Sequence, residues 1–374
     1  MTDTVIYFSG WQWCPGGNAR HDGLMEALSN HVRIIYAQPP EFSALVEIRK
    51  PRIERVNENF WLIHHIFGAR LSRVGRRARP VAAAFDSMCL RRLLLANGVS
   101  DYIYWTSSSA ADIRLGMDTN RFVFDCIDPC FTPESQAKVD KAESEAGHRA
   151  KIVFASAETL LERMKSINPR SYLLPNAVRA SDYHPSVLAG VARPKVLLSC
   201  SRPVVGYMGT IDWRIDTETL TYAAKALPGF TFCLVGRVNQ DQESRVKELR
   251  SLANVIFTGA VSNEDGRAYT AHCDLAVIPF LPGNIGDGIN PCKMYMYLMA
   301  GKPVVTTWMR ECIRLSPLVT ATRSAGEFVS TIMAAAENDT PALQAGRTEL
   351  AMLNRWEDRA ARALLLLSEN GLLK

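Results

Sequence analysis

Lys293 stands where backbone electrostatics disfavour a cation. It follows Asn290 and Pro291 in the run Gly286-Asp287-Gly288-Ile289-Asn290-Pro291-Cys292-Lys293-Met294-Tyr295-Met296-Tyr297. Asn290 suits the cap of a helix and Pro291 its first position. Lys293 then falls in the first turn, where the helix dipole repels positive charge. A diphosphate bound at that helix start accounts for it; the plain alternative is a lysine facing solvent. A second candidate is Val205-Gly206-Tyr207-Met208-Gly209-Thr210-Ile211-Asp212, a strand running into the turn Gly209-Thr210, with a helix opening at Asp216. Small residues there let backbone N–H groups reach a phosphate. A tight turn also needs glycine with no ligand at all.

Carboxylates are the candidates in the first half. Phe124-Asp125-Cys126-Ile127-Asp128-Pro129 follows a strand pattern, which puts Asp125 and Asp128 near a strand end. Such a group can take a proton from an attacking hydroxyl. Asp128 can equally cap the loop before Pro129, and Asp125 is its rival. Metal chemistry finds no support in the spacing. The seven histidines show no ligand pattern, and the nine cysteines include no Cys-x-x-Cys. Reduced cysteines acting as small apolar fillers are expected.

The elements that must position these residues alternate. Strand-like runs at 5–9, 32–37, 101–105, 121–125 and 151–155 are separated by helical patterns, among them 133–148 and 157–166. After a loose stretch rich in Pro and Gly, strands at 204–208, 230–235, 254–258, 275–279 and 303–306 alternate with helices at 216–226, 263–272 and 290–300. Helices fill the remainder, with a long one over 348–369. Such alternation argues for parallel strands with helical crossovers. The 374 residues suit two domains. The expected division is 1–178, a linker at 179–203, a second domain at 204–346 and a terminal helix at 347–374 crossing back to the first domain.

The motifs together resemble bacterial glycosyltransferases of the GT-B fold, of the family-4-like type found in teichuronic acid and exopolysaccharide synthesis. The resemblance rests on Gly206-Tyr207-Met208-Gly209-Thr210-Ile211-Asp212, on Leu234-Val235-Gly236-Arg237, and on Asn290-Pro291-Cys292-Lys293 leading to Ala300-Gly301-Lys302-Pro303. Leu174-Pro175-Asn176-Ala177-Val178 looks like the interdomain motif, and Arg355-Trp356-Glu357-Asp358-Arg359 like the start of a crossing helix. The fold implied is α/β, with two Rossmann-like domains facing across a cleft. The resemblance places Gly209, Thr210 and Arg214 near donor phosphates, Gly236 and Arg237 by the nucleotide base, Lys293 on the diphosphate, and Asp287 and Asn290 facing the sugar. In the family, the loop with Gly16, Gly17 and Arg20 lines the cleft floor, where its glycines could admit acceptor or phosphate and Arg20 an anion. Asp128 matches an aspartate segment of xanthan-type glucuronosyltransferases, which implies an inverting general base.

One departure stands out. Retaining relatives carry two glutamates eight positions apart around this helix, and the corresponding positions here are Gly288 and Met296. Tyr295 or Tyr297 is left to contact the nucleotide. The function implied is transfer of a sugar from a nucleotide-diphosphate sugar to a lipid-linked or polymeric glycan, with no cofactor and no metal. The alternatives are a non-catalytic partner subunit and a nucleotide-sugar epimerase.

Charge distribution suggests where this happens. Residues 49–92 hold eleven basic and three acidic side chains, against +5 for the whole chain. Trp61 beside Arg70, Arg73, Arg76 and Arg77 suits docking on anionic headgroups; in the plain alternative Trp61 belongs to a buried strand. No nucleic-acid motif accompanies the patch. With no apolar stretch of spanning length and no signal pattern, a cytoplasmic protein on the inner face of the membrane is expected.

Overall fold

The computed structural model describes residues 3–38, 51–64, 79–107, 120–127 and 133–374. It forms two compact units, Met1–Pro175 with Trp356–Lys374, and Asn176–Arg355.

The first unit is built on a sheet of β1 (Thr4–Phe8), β2 (Arg33–Ala37), β3 (Arg52–Arg55), β4 (Phe60–His64), β5 (Ile103–Thr106), β6 (Phe122–Cys126), β7 (Ile152–Ala155) and β8 (Ser171–Leu173). Their order is β3-β4-β2-β1-β5-β6-β7-β8. Only the β3–β4 pairing is antiparallel, an edge hairpin. β1, β5, β6 and β7 are buried along their whole length. That burial explains their unbroken apolar runs, the pattern of a parallel sheet covered on both faces. Helix Arg20–Leu28 packs against the terminal helix Trp356–Glu369. The contact is close enough to demand glycine, because a Cβ on Gly23 would lie 2.2 Å from Trp356 Nε1. The buried indole donates to Asn18 Oδ1 at 3.2 Å.

The second unit holds β9 (Val204–Met208), β10 (Thr231–Val235), β11 (Val255–Gly259), β12 (Leu275–Ile278), β13 (Val304–Thr307) and β14 (Val319–Thr322). All are parallel, in the order β11-β10-β9-β12-β13-β14. Three helices of this unit start at side-chain caps. Asp216 accepts from Thr219 N–H at 2.9 Å ahead of Thr217–Ala226. Ser262 does the same for Asn263–His272, and Ser324 for Ala325–Glu337. Each cap satisfies an amide the helix cannot. Residues 179–203, expected as a linker, include short helices at Ala180–Tyr183 and Pro185–Leu188 within this unit.

Three local expectations differ from the structure. The single helix over 348–369 is two, Pro341–Met352 and Trp356–Glu369. Between them the backbone is committed elsewhere: Asn354 O accepts from Val178 N–H at 3.1 Å, and Arg355 bridges to Val178. β14 lies where only helices are expected, in the segment Val319-Thr320-Ala321-Thr322, three of whose four residues are β-branched and favour a strand. The helix expected from Asn290 begins at Cys292, with Pro291 at its cap and no side-chain cap hydrogen bond.

Candidate functional site

The carboxyl end of β9 is the centre of the second unit's site. Strand order reverses there, with β10 on one side and β12 on the other, and sheets of this kind bind ligands at that point. The chain turns at Gly209, whose φ is 139°. Its N–H donates to Val235 O at 2.8 Å, and the N–H of Ile211 donates to Arg237 O at 2.8 Å. The turns after β9 and β10 are therefore zipped together. That approach requires Gly236, since a Cβ there would lie 2.0 Å from the Gly209 carbonyl oxygen. Thr210 N–H, between the two bonded amides, has no protein acceptor among the described residues. The segment after β12 closes the other side, with Leu281 N–H on Arg214 O at 2.7 Å and Asp216 N–H on Pro279 O at 2.8 Å.

Lys293 reaches this turn from helix Cys292–Met299. Its Nζ donates to Tyr207 Oη at 2.9 Å. It sits 4.2 Å from the centre of the Tyr207 ring and 4.7 Å from that of Phe280. A Cβ on Gly209 would be 2.9 Å from it. Among the described residues no carboxylate forms an ion pair with Lys293. Asp212 is engaged by Arg214, through Nε at 3.0 and 3.1 Å and Nη2 at 2.5 Å. Burial opposes ionisation of Asp212, but the hydrogen bonds and charge of Arg214 outweigh it and hold its carboxyl below the usual range. For Lys293, burial and then the Arg214 charge pull the ammonium down to about 7, against weaker help from Asp212 and Cys292. An amine in an aromatic seat, with no carboxylate bonded to it among the described residues, is poised to meet an anion.

The remaining expected donor residues divide. Arg237 is exposed and lines a surface pocket with Val238, Asn239, Gln240 and Asp241. Asp287 is partly buried in the short helix Asn284–Gly288 that follows β12. Asn290, expected to face a sugar, is 3% exposed and turned inward. Its Oδ1 accepts from Asn176 N–H at 3.0 Å, and its Nδ2 donates to Glu311 Oε2 at 3.0 Å and Tyr295 Oη at 3.3 Å. Its side chain is thus spent on internal bonds, and Tyr295 is buried with it. Tyr297 is buried too, accepting the Met208 N–H at 2.8 Å and so tying the helix to β9. Lys302, in the same motif, closes the end of helix Asn263–His272 by donating to Ala271 O and Cys273 O, both at 2.8 Å.

In the first unit, Arg20 corrects an expectation. It does not stand open to an anion. It is 4% exposed and grips the fully buried Asp125 with Nε at 3.0 Å and Nη2 at 2.7 Å, while Nη1 donates to Leu174 O at 2.7 Å. The glycine loop before it is organised by acidic side chains. Asp22 Oδ1 accepts from Cys14 N–H at 3.1 Å, and Glu26 Oε1 from Gly16 N–H at 3.3 Å. Gly17 packs so tightly that a Cβ would lie 2.3 Å from Asp22 Oδ2. Gly16 N–H is taken by a carboxylate and Gly17 N–H by Cys14 O at 2.8 Å, so neither amide is left for a phosphate in this arrangement. Trp61, expected at a membrane, is 4% exposed in β4, with Arg33 and Arg55 each 4.5 Å from its ring centre. Asp128, Arg70, Arg73, Arg76 and Arg77 lie outside the described residues.

No described helix is long and apolar enough to cross a membrane. Among the described residues no group of three His, Cys, Asp or Glu side chains is placed to hold a metal.

Both sheets and their connections define the GT-B fold of glycosyltransferases. Sucrose-phosphate synthase from Thermosynechococcus elongatus superposes with a TM-score of 0.76 at 15% identity, over 98% of each chain. Anabaena HepE in complex with UDP and glucose gives 0.69 at 17% identity, over 97% of this chain and 99% of that one. Residues 202–338 match the model of the glycosyl transferases group 1 family. Within 104 residues the chain is 32% identical to TuaH of Bacillus subtilis (strain 168), named for teichuronic acid biosynthesis as a glycosyltransferase; the match spans 28% of this chain and 26% of that protein. The similarity to xanthan-type enzymes does not appear among these relatives.

Sequence reasoning missed Tyr207, Phe280 and Asp212 as parts of the site. Tyr207 and Asp212 lie inside the motif that flagged Gly209, and Arg214 two residues after Asp212 is a short-range pairing signal. Nothing in the sequence linked Phe280 to Lys293.

Proposed function

We propose that this chain is a glycosyltransferase whose second unit binds a nucleotide-diphosphate sugar at the β9 turn. The observation that carries the reading is the Lys293 ammonium, held beside Gly209 with no carboxylate partner among the described residues. A diphosphate supplies the missing charge, and Thr210 N–H supplies a donor beside it. As the glycosidic bond to the diphosphate breaks, charge builds on the leaving oxygens, and a cation fixed there stabilises it. Anabaena HepE, which shares this fold, was solved in complex with UDP and glucose, and that supports a nucleotide-sugar donor here. The acceptor is a hydroxyl of a lipid-linked or polymeric glycan in cell-surface polysaccharide synthesis, as the name of TuaH suggests. Asp128 takes the acceptor proton in an inverting transfer, and Arg70, Arg73, Arg76 and Arg77 hold the chain at the inner face of the membrane.

A non-catalytic partner role is the second reading. Gly288 and Met296 supply no carboxylate where retaining relatives carry glutamates. One experiment separates the two. Purified chain is incubated with membrane extract and a panel of nucleotide sugars, and release of nucleoside diphosphate is followed for wild type and Lys293→Met. Turnover in wild type that disappears in the variant supports the enzyme. No turnover with any donor, together with full genetic complementation by Lys293→Met, supports the partner subunit.

A further inference from the structure

We propose that Tyr207 is a positioning residue: its hydroxyl fixes the Lys293 ammonium over Gly209, where the donor's phosphate oxygens arrive. This rests on the donor-site reading above. A lysine stem has four rotatable bonds and pays rotamer entropy to hold one place. Two features of Tyr207 hold it. The ring face lies under Nζ at 4.2 Å, and the hydroxyl accepts from Nζ at 2.9 Å. The hydroxyl's own proton goes to Thr210 O at 2.9 Å, so its lone pair is turned to the lysine. The phenol is 1% exposed and burial raises its pKa, which keeps it a neutral donor. One hydroxyl thereby joins the cation to the turn whose Thr210 N–H lacks a protein acceptor. Lysine and amide are presented to the diphosphate as one rigid pair.

Loss of that hydroxyl has a signature in pH. The groups facing Lys293 are Tyr207 on β9, Asp212 and Arg214 after β9, Cys292 on its own helix, and the uncharged Phe280. Tyr207→Phe keeps the ring and removes a hydrogen bond that favours the ammonium. The lysine then loses its charge below the wild-type value of about 7. Diphosphate affinity falls away at a lower pH as a result.

Calorimetric titration with UDP, GDP and ADP, each separately, from about pH 6 to about pH 8 tests this, with wild type, Tyr207→Phe, Lys293→Met and the double variant. Tyr207→Phe is expected to weaken nucleoside diphosphate binding about tenfold near neutral pH, with a deficit that widens as pH rises. In the Lys293→Met background it is expected to cost nothing further. Wild-type affinity and pH profile in Tyr207→Phe, or an equal loss in both backgrounds, overturns the positioning role and leaves the donor site standing. If no nucleoside diphosphate binds wild type, the donor-site reading falls and this inference with it. Should Tyr207→Phe not fold, a fluorinated tyrosine at 207, with a weaker acceptor oxygen, is expected to show the same sign with a smaller loss; unchanged binding there overturns the role equally.

Discussion

Arg20 and Asp125 form a bidentate ion pair that water does not reach, with both partners under 5% exposed. Two parallel hydrogen bonds and a third to the Leu174 carbonyl satisfy the guanidinium. Removing one partner strands the other charge. Arg20→Ala is expected to destabilise the first unit by about 3–5 kcal/mol. Replacing both, as Arg20→Met with Asp125→Leu, is expected to recover most of that loss. Urea unfolding of wild type and these two variants checks it.

Gly236→Ala tests the zipped turns. Gly236 has φ 144°, and its Cβ would lie 2.0 Å from a backbone oxygen that cannot swing away. A stability loss of about 2 kcal/mol or more is expected. Nucleoside diphosphate affinity should fall with it, because the Gly209–Thr210 turn must shift. Gly209→Ala is milder in space, since its Cβ meets the end of the Lys293 side chain, but at φ 139° the backbone is strained, so both stability and affinity should fall.

Lys293 sets a pH dependence of stability in the chain without ligand. Its folded-state pKa of about 7 lies below the ordinary 10.5, so folding releases a proton between those values. The unfolded state binds more protons there, and stability rises with pH across that window. Below about pH 7 the cost of burying the ammonium is borne in full. Lys293→Met is therefore expected to be the more stable protein near pH 6, on the order of a few kcal/mol, with the gap closing as pH rises towards 10.5. Chemical unfolding at several pH values reads this directly.

Asp128→Asn is expected to lower turnover by about 100-fold or more while nucleoside diphosphate binding stays as in wild type. A side chain that only caps a loop would change stability and leave the chemical step near normal. Rates with a working donor, paired with binding titrations, tell the two apart.

Much of this was legible in the residues. Strand runs such as Val204–Met208 and Ile152–Ala155 are buried on both faces, so hydrophobicity alone located them. The lysine near a helix start was legible because it contradicts the helix dipole. Asn290 was misread because a cap residue and a residue with every polar group spent inside the unit have the same local sequence; only its partners Asn176 and Glu311, 114 and 21 positions away, tell them apart. Arg20 failed for the same reason, its partner being 105 residues distant. Trp61 was read through neighbouring charge, yet burial in β4 governs it. Long-range pairing of polar groups leaves little trace in local spacing.

The central claim is that the β9 turn and Lys293 bind the diphosphate of a nucleotide sugar. The most direct measurement is the calorimetric affinity of wild type and Lys293→Met for a panel of nucleotide-diphosphate sugars at neutral pH. One nucleotide class is expected to bind wild type, with a loss of about 30-fold or more in the variant. Equal affinity in both proteins, or no binding by wild type at millimolar ligand, would contradict it.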